Sequence, residues 1–442
     1  MAEFRVVIIG AGPAGLFTAN ALAAAGMDYL VLERQPEVVS YRGALILLWP
    51  PFVRLLDQLG ILDSVMKHST PFVTKTNFTH TGEILYTSRI FPFLGECLGY
   101  QPLGLSRRNL VSSLYESLSD RETKVRAGAN VVSIDSLENG VRVHLEDGSV
   151  VEGSMVIAAD GVHSLARGLV QRLSHASPAS SDMQPTSPMV PNYVTVFGTT
   201  RYDRPDLGLG AFIEGHGPGI ASQSARLADA VYFNVIKRLK EPPAERKRFT
   251  PDDLEKMVEE LRDLPLFPGV KFEEIWSIRE QTSAVLIHQE EGLAERWYHG
   301  RIVVVGDAVH KMTSITGQGA MIAVLSATKL VNLLRATLVE KPNPSSSELE
   351  AVFAQYEASC KGSAGAVVQK GIFVTSLVTW TGENAEALDR QLSASEDPDE
   401  GMKSRVIPVF ESSPILDFIP FEGKHGTVPW KTNSSSPVRE RL

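Results

Sequence analysis

The run Gly10-Ala11-Gly12-Pro13-Ala14-Gly15 limits what this chain can fold into more than any other feature. It follows the β-branched run Phe4 to Ile9, suited to a strand buried on both faces, and leads into the Ala-rich stretch Ala14 to Ala25, a helix that Gly26 ends. Tyr29 to Glu33 then returns as a strand. Strand, glycine turn, helix and strand make one βαβ unit, which implies a parallel sheet and a right-handed crossover. The glycines permit a tight turn and close backbone approach, and the helix start offers free N–H groups and a positive dipole end to a pyrophosphate. Glu33 ends the second strand, where its carboxylate can accept hydrogen bonds from adenosine ribose hydroxyls. Gly10, Gly12, Gly15 and Glu33 therefore read as dinucleotide-binding. The plainer alternative is a Gly-rich turn in an α/β core, and these residues alone do not separate FAD from NAD.

With 442 residues and 43% hydrophobic content the chain can bury a large core, in roughly two or three domains. A net charge of −9 argues against a nucleic-acid partner, which needs clustered Lys and Arg to neutralise phosphates. Cys97 and Cys360 stand far apart with no CxxC pair, so no disulfide framework or dithiol centre is expected, and the compartment reads as reducing and cytoplasmic. Val6 to Ile9 is too short for a secretion signal, and no run of about 18 apolar residues predicts a membrane-spanning helix. Peripheral membrane contact stays open.

Farther on, Arg107 to Leu118 reads as a helix, and Val131 to Ile134, Val141 to Leu145 and Val150 to Ile157 as strands, with a hairpin signal at Asp147-Gly148. A Ser-, Pro- and Ala-rich stretch from Ser174 to Pro191 predicts a loop or linker. Tyr193 to Phe197 and Ala230 to Ile236 read as strands of a more antiparallel second domain, with the Gly-rich Gly208 to Gly219 between them. At Ile302 to Val305 a buried strand returns, followed by Gly306-Asp307 and an apolar helix from about Gly319 to Leu334. Pro342 to Ser347 breaks off a helical C-terminal segment, and the tail from Lys431 reads as disordered.

The segment Arg301 to His310, with Gly306-Asp307 inside it, precedes Gly317-Gln318-Gly319-Ala320, and together they resemble the FAD-dependent aromatic hydroxylase group that includes p-hydroxybenzoate hydroxylase and zeaxanthin epoxidase. The resemblance implies that FAD is the cofactor, that Asp307 binds its ribityl chain, and that Gly319 and Ala320 set amides against the flavin. An N-cap is the alternative for Asp307. Ala159-Asp160-Gly161-Val162-His163-Ser164 with Arg167 looks like the group's DG motif, which contacts FAD and NADPH; alone, Asp160 could sit in a plain Asp-Gly turn. Arg107 matches an R-x-x-L that opens a helix and touches the cofactor, where a lone Arg would more often be a solvated surface charge.

At finer grain, Gly43 to Pro50, Trp297 to Met312, Phe418-Ile419-Pro420 and Gly426 to Trp430 resemble the paxilline-type fungal FAD-dependent monooxygenases, over nearly the whole chain. Leu47 falls where that family usually has a glycine contacting FAD through its backbone. The implied fold is α/β: a Rossmann-like FAD-binding domain from segments 1–70, 101–173 and 296–340, a mixed-sheet substrate domain from 71–100 and 174–295, and C-terminal helices in 341–442. The implied activity consumes NADPH and oxygen to epoxidise or hydroxylate a small prenylated or phenolic natural product, in a pocket between the flavin and the sheet around Val194 to Ile236.

The chain departs from the family at Ser314, where proline is usual, at Met321 for Asn, at Leu325-Ser326 for Glu-Asp, and at Pro50-Pro51-Phe52 for Pro-Asn-Gly. Losing proline frees φ and restores an N–H, predicting a looser or reshaped loop. That change motivates a rival reading: an FAD-retaining protein that catalyses a redox-neutral cyclisation or only binds a ligand. A disulfide reductase is disfavoured, because a second complete GxGxxG and a cysteine pair are both missing. His216 reads either as an acid near the substrate or as a solvated loop histidine, and His310 as positional.

Overall fold

The computed structural model describes residues 4–40, 44–174, 188–202, 207–243 and 248–432. Gly43, most of the expected loop between Ser174 and Pro191, and nearly all of the tail after Lys431 lie outside them. Strand Arg5–Ile9 sits inside a six-stranded sheet, parallel to Asp28–Leu32 on one side and to Met155–Ala158 on the other. Ile302–Val304 extends that sheet beyond Met155–Ala158. Helix Pro13–Ala24 packs on it, and the long helix Gly319–Glu340 packs on Pro13–Ala24. By length and composition alone Gly319–Glu340 could cross a membrane; here 61% of its apolar window is buried in the protein, between Pro13–Ala24 and the C-terminal helix Ser346–Val378.

The expected strand Val150 to Ile157 is two strands. Val150–Gly153 pairs antiparallel with Gly140–Leu145, whereas Met155–Ala158 crosses into the six-stranded sheet. Ser154 is the join: its N–H donates to the Arg5 carbonyl, and its Oγ accepts the Arg5 N–H at 3.0 Å. A continuous apolar run carries no mark of this change of partner.

An eight-stranded mixed sheet forms the other half of the molecule. The Gly-rich segment Gly208 to Gly219, expected only as an interval between strands, contains the fully buried strand Ala211–Gly217, followed by Ile220–Arg226. Small residues are needed there for close approach: a Cβ on Gly215 would lie 2.4 Å from Ser222 Oγ and 2.7 Å from the Phe78 ring. Register sets Phe197, Asn234, Gln223, Glu214 and Asn77 in one row across five neighbouring strands, hence on one face.

His216 shares that face and is corrected accordingly: it is neither solvated nor in a loop, but 1% exposed within Ala211–Gly217. Its Nδ1 lies 2.7 Å from Asp389 on helix Ala385–Ser393, and its Nε2 lies 3.3 Å from Glu214, which Lys75 holds at 2.9 Å. Trp380 Nε1 also donates to Asp389 at 2.9 Å. This chain of alternating charge fastens the C-terminal helices to the sheet. Burial alone would lower the His216 pKa, but hydrogen bonds and charges from Asp389 and Glu214 outweigh burial and raise it. Burial likewise opposes ionisation of Glu214, yet Lys75 and His216 hold it far below the carboxylate range.

A histidine whose pKa is raised on folding stabilises fully below its unfolded value of 6.5, and that contribution disappears as pH rises through the folded value. Stability should therefore decline on the alkaline side of neutrality. Replacing His216 by Asn should cost about 3–5 kcal/mol near pH 6, the usual result of breaking a buried ion pair, and should flatten the decline toward about pH 9. Urea unfolding at both pH values checks this; equal slopes for the two proteins would remove His216 from the titrating network.

Candidate functional site

Three distant segments meet at the C-terminal ends of the parallel strands, where open α/β sheets bind ligands. Gly10 turns the chain at φ +101°, and a Cβ there would lie 2.5 Å from the Ala159 carbonyl oxygen. On Gly15 a Cβ would lie 1.9 Å from the Gly10 carbonyl oxygen, so helix Pro13–Ala24 can start this close to the strand only with glycine at that position. Gly12 is the N-cap of that helix and supplies no side-chain cap.

Glu33 braces the turn. Its Oε2 accepts the Ala11 N–H and its Oε1 the Gln35 N–H, each at 2.8 Å, which leaves further lone pairs on both oxygens. Arg107 opens helix Arg107–Glu116, whose N-cap Ser106 accepts the Asn109 N–H at 3.0 Å. Its guanidinium lies near the Gly12 turn, close enough to the Glu33 and Asp307 carboxylates to feel their charge, and makes no hydrogen bond or ion pair among the described residues. Burial lowers its pKa and those two carboxylates partly restore it.

Asp307 occupies the turn Gly306–Ala308 and is not an N-cap: its carboxylate meets Lys311 Nζ at 2.8 Å, and the N-cap of the following long helix is Gln318, without a side-chain bond. Burial raises the Asp307 pKa, but the charge and hydrogen bond of Lys311, with Arg107 beyond it, bring it below its ordinary value. Gly319 and Ala320 thus begin an uncapped helix, the second such helix start at this site. Asp160 accepts the Ala166 N–H at 3.2 Å through one oxygen, while the other is buried without a partner among the described residues. Burial raises its pKa, opposed by Ser164, the Ala166 N–H and Arg167.

One cavity of about 850 Å³ collects Gly10, Gly12, Glu33, Leu47, Arg107, Asp160, Asp307, Gly319 and Ala320. Gly15 and His216 do not line it; the first packs beneath it and the second lies in the buried network described above. Arg167 is also off the cavity wall, tied to the Ala308 and Val162 carbonyls at 3.0 and 2.8 Å. His310 is 1% exposed, and burial drives its pKa down to about 4, so it packs as a neutral ring against Trp297.

The same cavity continues to the sheet face expected for a substrate, where Phe197, Phe212, Tyr232, Val285 and Ile287 make an apolar wall interrupted by Gln223, Asn234 and Gln289. Sequence reasoning missed these amides and Lys311. Only the four-residue spacing from Asp307 to Lys311 offered a signal; the amides carry none, because strand register brings them together.

The loop expected to be loose is held at successive points. Thr313 Oγ1 meets Thr375 Oγ1 at 2.5 Å, the Ser314 N–H donates to Gln289 Oε1 at 3.1 Å, Gln223 donates to the Ile315 carbonyl at 2.7 Å, and Trp49 Nε1 donates to the Gly317 carbonyl at 3.2 Å. The N–H restored by Ser314 is used.

A family model described as FAD binding domain matches residues 3–370. The FAD-dependent monooxygenase srdH of Neurospora crassa is 34% identical, covering 97% of this chain and 98% of its own, and the FAD-dependent monooxygenase paxM of Penicillium paxilli is 32% identical over 80% and 75%. Among solved structures, Klebsiella pneumoniae HpxO with FAD and uric acid aligns with a TM-score of 0.75 at 23% identity, covering 93% of this chain and 97% of that one, and shares the fold. The chain belongs to the FAD-binding family, and within it to the paxilline-type fungal FAD-dependent monooxygenases.

Proposed function

We propose that this FAD-dependent monooxygenase uses NADPH and oxygen to epoxidise or hydroxylate a small prenylated or phenolic intermediate of secondary metabolism. The observation that carries the proposal is the single cavity that runs from an anion-binding end to an apolar wall. A pyrophosphate fits the first end: two uncapped helix starts, the glycine turn and a half-buried guanidinium without a partner among the described residues all favour negative charge. An elongated, mostly apolar molecule with a polar group fits the second.

In this reading Gly10 and Gly12 admit the pyrophosphate, Gly15 seats the helix beneath it, and Arg107 neutralises it. Glu33 accepts from the ribose hydroxyls with its remaining lone pairs. Asp160 offers its unpartnered oxygen to a donor of the cofactor, and Asp307, held ionised by Lys311, accepts from the ribityl hydroxyls. Leu47 and the amides at Gly319 and Ala320 border the flavin. FAD, once bound, supplies the hydride acceptor and the site of oxygen activation. The chain contributes orientation, exclusion of water by the apolar wall, and positive helix potential toward developing flavin charge.

We also propose the three-part division into FAD-binding, substrate and C-terminal segments, supported by the separate sheets, with the exception that His310–Lys311 joins the eight-stranded sheet from within segment 296–340. A cytoplasmic setting is proposed on the strength of two free, buried cysteines.

Asp307→Ala should weaken FAD binding about 10- to 150-fold, the value of hydrogen bonds to a charged acceptor at about 1.5–3 kcal/mol. The mutant would also leave Lys311 without its carboxylate. Flavin content after purification reads this directly, and full occupancy would refute the assignment. The activity is tested by anaerobic visible spectra before and after NADPH, with a panel of prenylated phenols present. Bleaching that reverses on adding oxygen is expected; FAD that stays oxidised throughout the panel would favour the redox-neutral alternative.

A further inference from the structure

We propose that Gln223 and Gln289 are positioning residues that clamp the cavity loop Thr313 to Gly317 to the large sheet, doing the work of the proline that Ser314 replaces. The inference rests on the reading that the flavin lies beside this loop, and its test separates the two.

Gln289 is 4% exposed and sits on strand Val285–Leu293. Its Oε1 accepts the Ser314 N–H at 3.1 Å, a bond that proline at position 314 could not donate. Gln223, 5% exposed on strand Ile220–Arg226 of the same sheet, with two strands between, reaches the next residue of the loop. One end of its amide lies 2.7 Å from Glu214 Oε2 and 2.7 Å from the Ile315 carbonyl oxygen. Both neighbours only accept, so that end is the amino group and the carbonyl end must face Asn234 Nδ2, at 3.3 Å. The Gln223 amide therefore cannot turn over without setting a carbonyl against a carboxylate.

Glu214 makes this orientation permanent, because Lys75 at 2.9 Å and His216 at 3.3 Å keep it as an acceptor. The clamp thus has a charged anchor on the sheet and two amide jaws on consecutive loop residues, one gripping an N–H and the other a C=O. Thr313, Ser314, Ile315 and Gly317 all line the cavity between the apolar wall and the start of helix Gly319–Glu340. A displacement of this loop would alter both the space above the flavin and the approach of the helix start.

The test uses the FAD-loaded full chain with Gln289→Leu, Gln223→Leu, Ser314→Ala, Ser314→Pro and the pair Ser314→Pro with Gln289→Leu. Amide hydrogen exchange of the peptide spanning the loop and the visible flavin spectrum are read together, with thermal unfolding as the check on folding. Gln289→Leu should speed exchange at Ser314 about five- to tenfold, the loss of one hydrogen bond, and shift the flavin bands. Gln223→Leu should also shift the bands, while Ser314→Ala, which keeps the N–H, should match the parent.

In the Ser314→Pro background, Gln289→Leu should produce no further spectral change, since the bond it breaks is already gone. A shift of full size in that background would overturn the proposal, as would unchanged exchange in Gln289→Leu. Faster exchange with an unmoved flavin spectrum in both Leu variants would keep the clamp and refute the placement of the flavin beside it.

Discussion

Where Gly15 meets the Gly10 carbonyl oxygen there is no room for a methyl group, and the arrangement of the cavity depends on that contact. It sets how near helix Pro13–Ala24 begins to the strand, and so where its free N–H groups point. Gly10 in turn lies against the Ala159 carbonyl, which brings the Asp160 segment alongside the turn. The parallel pairing of Arg5–Ile9 with Met155–Ala158, and of that strand with Ile302–Val304, then delivers Asp160 and Asp307 to the same end of the sheet. Backbone packing, rather than attraction among the polar groups, assembles the site.

Electrostatics explains why the assembled groups tolerate one another. Glu33, Asp160 and Asp307 gather three carboxyl groups around one cavity, against Arg107 and Lys311 and the positive ends of two helices. Each carboxyl is relieved differently: Glu33 by two backbone N–H groups, Asp307 by Lys311, and Asp160 by burial that favours its neutral form. Arg107 alone is left without a dedicated partner among the described residues, so the net preference at that end of the cavity is for an anion. The far end is apolar, and its few amides are engaged with the loop or with one another, save Asn234 Oδ1, which is buried without a partner among the described residues.

Local pattern carried much of this. The first βαβ unit, its glycines and the acid at the strand end are contiguous in sequence and obey short-range sterics, so they were legible within a residue or two. Asp307 and Gly319-Ala320 were legible for a different reason, through resemblance of the surrounding motif. Readings failed where the deciding contact was remote. Val150 to Ile157 looks like one strand because its change of sheet at Ser154 depends on Arg5, far away in the chain. His216 looked like a loop residue because glycines surround it, yet Gly215 is what lets Phe78 and Ser222 press against its strand, and Gly217 does the same for His80. The exchange of Pro for Ser at 314 suggested a loosened loop, but the partner that takes up the new N–H is a glutamine on another strand.

Sequence by itself therefore determined the nucleotide-binding half, because close packing of glycine against backbone is written in consecutive residues, and it implied the cofactor and the family through the resemblance of its motifs. Only the tertiary structure decided how the second sheet is registered, that His216 belongs to a buried ion network joining it to the C-terminal helices, and which amides hold the cavity loop. Those features arise from hydrogen bonds and charges whose partners are set by strand pairing across the whole chain, and no local periodicity encodes them.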